Sequence, residues 1–117
     1  MFEIEYYETD NGKIPVYDFI NKLPLKIRAK AFASLKLLGE YGNQLREPYS
    51  KHIDNGIFEL RIKFSTDITR IFYFFIKDNR IILTNGYIKK QNKLDRSEFE
   101  KAVKAKADYE RRMCNGL

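Results

Sequence analysis

The sequence predicts an α+β fold: a small antiparallel sheet with two N-terminal helices packed on one of its faces. Three strand-like segments joined by short turns occupy residues 57–88, which is typical of an antiparallel meander. Two amphipathic helical segments precede them, and their apolar stripes need the cover of a sheet. The 117 residues contain no low-complexity linker, so we expect one domain over residues 1–117 in the order β-α-α-β-β-β-α.

The N-terminal half begins with alternating apolar and polar residues over 2–7, which predict a first strand. Pro15 suits the first turn of a short helix. A second helix follows Pro24 and ends at Gly42, a typical residue after a helix C-terminus. Its apolar stripe consists of Ile27, Ala31, Leu35 and Leu38. Residues 43–56 are polar and are predicted to form a loop that ends in a turn.

The C-terminal half contains the predicted meander and one further helix. Strands are expected over residues 58–64, 68–76 and 81–88, with a two-residue turn between Lys77 and Arg80. Ser97 and Glu100 have the spacing of a capping box, so the last helix should begin at Ser97. We expect this helix to dock only partly, which leaves the second sheet face open.

Arg70 is unusual because it lies within a run of aromatic and branched residues that predicts a central strand. A buried unpaired cation costs several kcal/mol or more by rough estimate, so the charge needs a partner. One interpretation is a structural ion pair with Glu59. The other, which we favour, is that Arg61 and Arg70 share an open face that binds an anion.

Strand register decides which side chains accompany Arg70. If Phe64 lies opposite Asp67, Arg61 lies opposite Arg70. If Lys77 lies opposite Arg80, Tyr87 lies opposite Arg70, and Phe72 opposite Asn85. A slip of one residue would bury Arg70 among the apolar side chains of the other face, so we prefer this register. It places on one face Glu59, Arg61, Lys63, Arg70, Phe72, Tyr87 and Lys89.

Composition narrows the classes of function. The net charge is +6, and the basic excess begins after the first 23 residues, which suits a polyanionic partner. One His, one Cys and no carboxylates at ligand spacing argue against a metal site, and no cofactor motif is present, so we expect no cofactor. An acidic N-terminus and the lack of a long apolar segment predict a cytoplasmic protein without a membrane partner.

A face of cations interleaved with aromatic rings is suited to RNA, because cations bind phosphates and rings stack on unpaired bases. Cleavage of RNA needs no metal if the ribose 2′-OH attacks the adjacent phosphate. Arg61 and Arg70 would stabilise the developing charge, with Lys89 and Lys90 assisting. We place Tyr87 in the catalytic set, although Glu59, His52 or a lysine are further candidates for proton transfer. The predicted RNA-binding residues are Lys51, Lys63, Phe72 and Lys93.

Several segments carry a family resemblance. The segments that carry the resemblance are Phe58–Arg61, Arg70–Phe75, Gly86–Lys90 followed by Gln91 and Lys93, and the basic terminal helix ending near Asp108 and Tyr109. In the order and spacing of these segments, over nearly its whole length, the chain resembles the HigB-type branch of the RelE/ParE toxin superfamily, including its phage-derived members.

The resemblance implies the toxin of a type II toxin–antitoxin system, a ribosome-dependent endoribonuclease that cuts mRNA. Its implied partners are the ribosome, mRNA and a HigA-like helix-turn-helix antitoxin, with operator DNA bound only through the antitoxin. The matching site positions are Arg61, Arg70 and the Lys89–Lys90 pair, and the tail offers only Tyr109 for acid–base chemistry. ParE-like relatives inhibit DNA gyrase instead, and a non-catalytic RNA- or ribosome-binding module is a third alternative.

Overall fold

The computed structural model describes residues 1–89 and 93–115 and contains a mixed α+β architecture. A five-stranded sheet has helices on both faces. The elements in chain order are β1 (Glu3–Tyr6), α1 (Pro15–Asn21), α2 (Leu25–Tyr41), a 3₁₀ turn (Gly42–Gln44), β2 (Ser50–Asp54), β3 (Ile57–Phe64), β4 (Asp67–Ile76), β5 (Arg80–Lys89) and α3 (Arg96–Asn115). None of the helices in these described ranges is long and apolar enough to cross a membrane.

The sheet has the strand order β1-β5-β4-β3-β2. The predicted meander is confirmed, because β3, β4 and β5 pair antiparallel in sequence. The sheet as a whole is mixed rather than antiparallel, since β1 pairs parallel with β5. The prediction of a loop over 43–56 was wrong for β2, an edge strand in which Ile53 is the only aliphatic residue. Its polar composition suits an edge position and hides the strand period.

The two N-terminal helices cover one sheet face, as predicted. The α1 helix begins at Pro15, and α2 ends before Gly42, whose φ of 51° favours glycine. Their buried residues form one core with the inward side chains of the sheet. This core includes Val16, Ile20, Leu23, Ile27, Ala31, Leu35, Leu38, Leu60, Ile62, Ile71, Tyr73, Ile81 and Leu83.

The last helix docks more fully than the sequence predicted. Phe99 and Ala102 are buried in a second core with Ile57, Phe72 and Tyr87, so α3 covers part of the other sheet face. The capping-box prediction was also wrong. Asp95 caps the helix, because its Oδ1 accepts hydrogen bonds from Ser97 Oγ at 2.7 Å and the Glu98 N–H at 3.2 Å.

The register around Arg70 is the predicted one, with Arg61 and Tyr87 as its two cross-strand neighbours. The predicted two-residue turn is wrong, because Arg80 pairs with Ile76 and leaves three residues in the turn. Two of them, Asp78 and Asn79, have φ of 67° and 56°, which both residue types tolerate.

A β-bulge reconciles this turn with the predicted register. Tyr73 pairs with Leu83 and Ile71 pairs with Gly86, so β5 carries one extra residue between these two pairs. Phe72 therefore faces a bulge rather than a single partner, which corrects its expected pairing with Asn85. Without this extra residue, Tyr87 would be displaced from its place beside Arg70.

The docking of α3 predicts the cost of truncating Phe99, which is 6% exposed and whose ring contacts that of Phe72 edge to face. Phe99→Ala should lower the free energy of unfolding by about 3 kcal/mol, because it leaves a cavity under the helix. Urea denaturation measures this loss. Met113→Ala, at a 49% exposed position of the same helix, is the control and should change it by less than about 0.5 kcal/mol. Equal effects of the two substitutions would show that α3 is not docked.

Candidate functional site

The sheet face toward α3 carries charged residues in three cross-strand rows. Pairing places Lys63, Ile68 and Lys89 in one row and Arg61, Arg70 and Tyr87 in the next. In the third row, Glu59 lies between Lys51 and Phe72. Directly paired residues project from the same face of a sheet, so the rows share the α3 side. We call the cations that keep solvent exposure there the basic surface: Lys51, Arg61, Lys63 and Lys89.

Glu59 is the fully buried centre of these rows, with 0% of its surface exposed. Its Oε1 accepts a hydrogen bond from Arg61 Nε at 2.9 Å. Arg70 Nη1 donates to both carboxylate oxygens, at 3.2 and 3.3 Å. Tyr87 Oη donates to Oε2 at 3.4 Å. One carboxylate thus orients two guanidinium groups and one phenol, and its two cationic partners offset the desolvation of its charge.

The hydroxyl of Tyr87 keeps its proton at neutral pH. Burial raises the pKa of Tyr87, and the nearby Glu59 charge acts in the same direction. The hydrogen bond that the Asp95 N–H donates to the hydroxyl, at 3.3 Å, and the charge of Arg70 act against this rise. Tyr87 is 8% exposed and acts as a hydrogen-bond donor to Glu59. Its environment suits it to holding the carboxylate rather than to accepting a proton.

Arg70 occupies the interior and not an open face. It is 1% exposed, bonded to Glu59, and its guanidinium carbon lies 5.9 Å from the centre of the Tyr87 ring. The interpretation of Arg70 as a member of an open anion-binding face is therefore wrong, and the ion pair with Glu59 is what the structure contains. The α3 helix also covers the neighbouring part of this face through Phe99.

Arg61 is the guanidinium that reaches solvent, with 15% of its side chain exposed. Among the described residues its side chain bonds only through Nε, which leaves the Nη groups for an anion. Lys51 and Lys63 are exposed. Lys89 is 29% exposed, and its Nζ lies 3.9 Å from Asp95 Oδ2. The hydrogen bond from the Ser97 hydroxyl and that from the Glu98 N–H lower the pKa of Asp95, with a smaller contribution from Lys89.

Other predicted residues lie elsewhere. Phe72 is 0% exposed between the rings of Tyr87 and Phe99, so it has no free face for a base.

His52 contacts Phe58 on the opposite sheet face. Tyr109 bonds to Arg80 and packs on Phe74, which is four residues and about 13 Å along β4 from Arg70. Two further predicted residues remain: Lys93 is exposed before α3, and Lys90 lies outside the described residues.

Two neighbours of the basic surface were missed by sequence reasoning. Tyr49 is 54% exposed, and its carbonyl accepts the Arg61 N–H at 2.8 Å, so it continues the β2 pairing opposite Arg61. Asp95 caps α3 and contacts both Lys89 and Tyr87. Recognition of β2 would have located Tyr49. An Asp at N-cap spacing before the helix was the available signal for Asp95.

The arrangement suits anion binding and the stabilisation of negative charge. A buried carboxylate fixes one exposed guanidinium, and lysines flank it within the same sheet face. Guanidinium groups stay ionised and bind phosphate in a bidentate manner. In the part of the chain that the structure describes, no group of three or more His, Cys, Asp or Glu side chains could hold a metal ion.

The burial of Arg70 predicts a cost in stability that Arg61 does not share. Arg70→Met should lower the free energy of unfolding by about 3 kcal/mol, because it removes one partner of a buried ion pair. Arg61→Met should cost no more than about 1 kcal/mol, since its guanidinium reaches solvent. Guanidinium chloride unfolding of both variants measures the difference. A loss for Arg70→Met as small as that for Arg61→Met would contradict the buried pair.

Comparison with known proteins gives one family match. The family described as phage-derived protein Gp49-like (DUF891) matches residues 18–107, from α1 to within α3, and this range includes the whole basic surface. No curated protein sequence matches the chain significantly. The matched family consists of toxins of toxin–antitoxin systems related to the RelE/HigB type. Membership of this family implies an antitoxin as the binding partner. The chain belongs to the Gp49-like family of phage-derived toxins.

Proposed function

We propose that this toxin is a ribosome-dependent endoribonuclease of the HigB type that cleaves mRNA without a metal ion. The observation that carries the proposal is the partly exposed guanidinium of Arg61, held by buried Glu59 and flanked by lysines in the neighbouring rows. The rigid guanidinium suits contact with the scissile phosphate, and the flexible lysines beside it suit contacts with the neighbouring phosphates. The cognate antitoxin would be a HigA-like helix-turn-helix protein, through which the complex contacts operator DNA.

The basic surface would bind the message through its phosphates. Lys51 and Lys63 are exposed on either side of Arg61, and exposed Lys93, which precedes α3 in sequence, would add a further contact to the RNA. Such contacts are independent of sequence and weaken with salt. The half-exposed ring of Tyr49 opposite Arg61 is available for stacking on an unpaired base, the role that the buried Phe72 cannot fill.

The proposed reaction is a transesterification within the RNA. The ribose 2′-oxygen forms a bond to the adjacent phosphorus, the bond from phosphorus to the 5′-oxygen breaks, and a proton moves from the 2′-OH to the leaving oxygen. The products are a 2′,3′-cyclic phosphate and a 5′-OH. Arg61 would stabilise the extra charge on the phosphoryl oxygens. Lys89, with Lys90 beside it in sequence, would assist by stabilising the negative charge that develops on the leaving oxygen before the proton released by the 2′-OH reaches it.

Arg70 and Tyr87 would act as positioning residues. Both bind the Glu59 carboxylate from below the surface, and Glu59 in turn fixes Arg61 Nε. A guanidinium held in place loses less conformational freedom when it binds a phosphate. This division assigns contact with RNA to the exposed cations and orientation to the buried residues.

Substitution of Arg61 tests the proposed site. Arg61→Ala should lower the rate of message cleavage by about 100-fold or more, because it removes the principal charge stabiliser of the transition state. Primer extension on total RNA after induction in a bacterial host measures cleavage within translated frames. Lys77→Ala, in the turn between β4 and β5, is the matched loss of one positive charge away from the basic surface. It should cleave like the parent chain.

Three outcomes would contradict the proposal. Cleavage by Arg61→Ala at the rate of the folded parent chain would remove Arg61 from the site. Intact transcripts together with a DNA-damage response would indicate gyrase inhibition. Ribosome binding with uncut messages would indicate a non-catalytic module.

A further inference from the structure

The α2 helix is apolar on two faces, although only one of them packs in the core. Its inner stripe, Ile27, Ala31, Leu35 and Leu38, is buried against the sheet. A helix at the surface of a folded domain normally has a polar outer face. Apolar residues on the outer face of α2 therefore need another explanation.

The outer stripe consists of Leu25, Ala29 and Phe32. These residues are spaced by four and then three positions, so they lie in line on one face of the helix. Leu25 is 76% exposed and Phe32 is 50% exposed, while Ala29 between them is also exposed. The stripe spans about 10 Å along the helix axis, which matches two turns of a partner helix.

The charge around this outer stripe has one sign. No acidic residue occurs between Asp18 and Glu40. Lys26 is exposed and flanks the stripe on one side, and exposed Lys36 lies in line with the stripe, one turn beyond Phe32. Five basic residues fall in this interval, namely Lys22, Lys26, Arg28, Lys30 and Lys36.

We propose that the outer stripe of α2 is the docking surface for the antitoxin, through an amphipathic helix with an acidic margin. The exposed Leu25 and Phe32 side chains suit the apolar face of a helix, and the lysines beside the stripe select acidic residues at the margin of that helix. The proposal rests on the antitoxin that family membership implies, and it does not depend on nuclease activity.

This docking surface is separate from the basic surface, because α2 packs on the opposite face of the sheet. On a different side from the stripe, α2 contacts the end of β3, where Lys30 Nζ donates to the carbonyl oxygen of Lys63 at 2.9 Å. An antitoxin helix bound along the outer stripe would thus lie on the opposite side of the sheet from the basic surface.

The antitoxin for this test is the protein that is encoded next to the toxin gene and restores growth when the two are co-expressed. Its binding to the purified toxin is measured by isothermal titration calorimetry. The paired substitution Leu25→Ser and Phe32→Ser should weaken its binding by about thirtyfold or more, as expected for loss of a central apolar contact. Tyr41→Ser is the matched control, because Tyr41 is 50% exposed on the same helix but points away from the stripe. It should bind like the parent chain. Circular dichroism checks that each variant is folded.

Charge reversal provides a second, independent arm. Lys26→Glu with Lys36→Glu should also weaken binding, and more strongly at low salt, because an acidic partner is then repelled. Unchanged binding in either paired variant would overturn the proposal, as would an equal loss in Tyr41→Ser.

Two further measurements identify other occupants of the stripe. If light scattering shows a dimer of the free toxin that the Leu25→Ser and Phe32→Ser variant loses, while antitoxin binding is retained, the stripe binds a second copy instead. If only binding to phosphatidylglycerol vesicles is lost, the occupant is a lipid surface, which also overturns the proposal. No RNA enters these assays, so a failure of the nuclease proposal would leave their results unaffected.

Discussion

The orientation of Arg61 within the basic surface depends on the buried carboxylate of Glu59. A fully buried anion in a sheet is stable only if its charge is compensated, and here two guanidinium groups and a phenol supply that compensation. The same bonds fix the orientation of Arg61, which reaches solvent. One set of contacts therefore both compensates the charge of Glu59 and orients the guanidinium that would bind an anion.

Three long-range features bring this set together. The β3–β4 register sets Arg61 beside Arg70, and the bulge in β5 returns Tyr87 to the row after a three-residue turn. The α3 helix then closes part of the face over Phe72 and supplies Asp95, whose N–H binds the Tyr87 hydroxyl. On this face Arg70 is 1% exposed, whereas the cations of the basic surface keep solvent exposure.

Local patterns in the sequence predicted the α+β class, both N-terminal helices, the meander and the neighbours of Arg70. Residues that depend on non-local packing were not predictable in this way. The β2 strand has too few apolar residues to show a period, and the parallel pairing of β1 leaves no mark in composition. The exposure of Phe72 was misjudged because the extent of α3 docking is decided by side chains far apart in the chain. The basic surface was predicted in part, and its division into exposed and buried residues required the structure.

The central claim is that Glu59 acts on RNA cleavage only through Arg61. A double-mutant cycle on the single-turnover cleavage rate of a ribosome-bound message tests it most directly, with Glu59→Gln, Arg61→Ala and the two combined. Glutamine keeps the shape of the side chain while removing its charge. The account predicts that the combined variant cleaves no more slowly than Arg61→Ala alone, once folding is confirmed. Rate losses that multiply would show that the two residues act independently and would contradict the account.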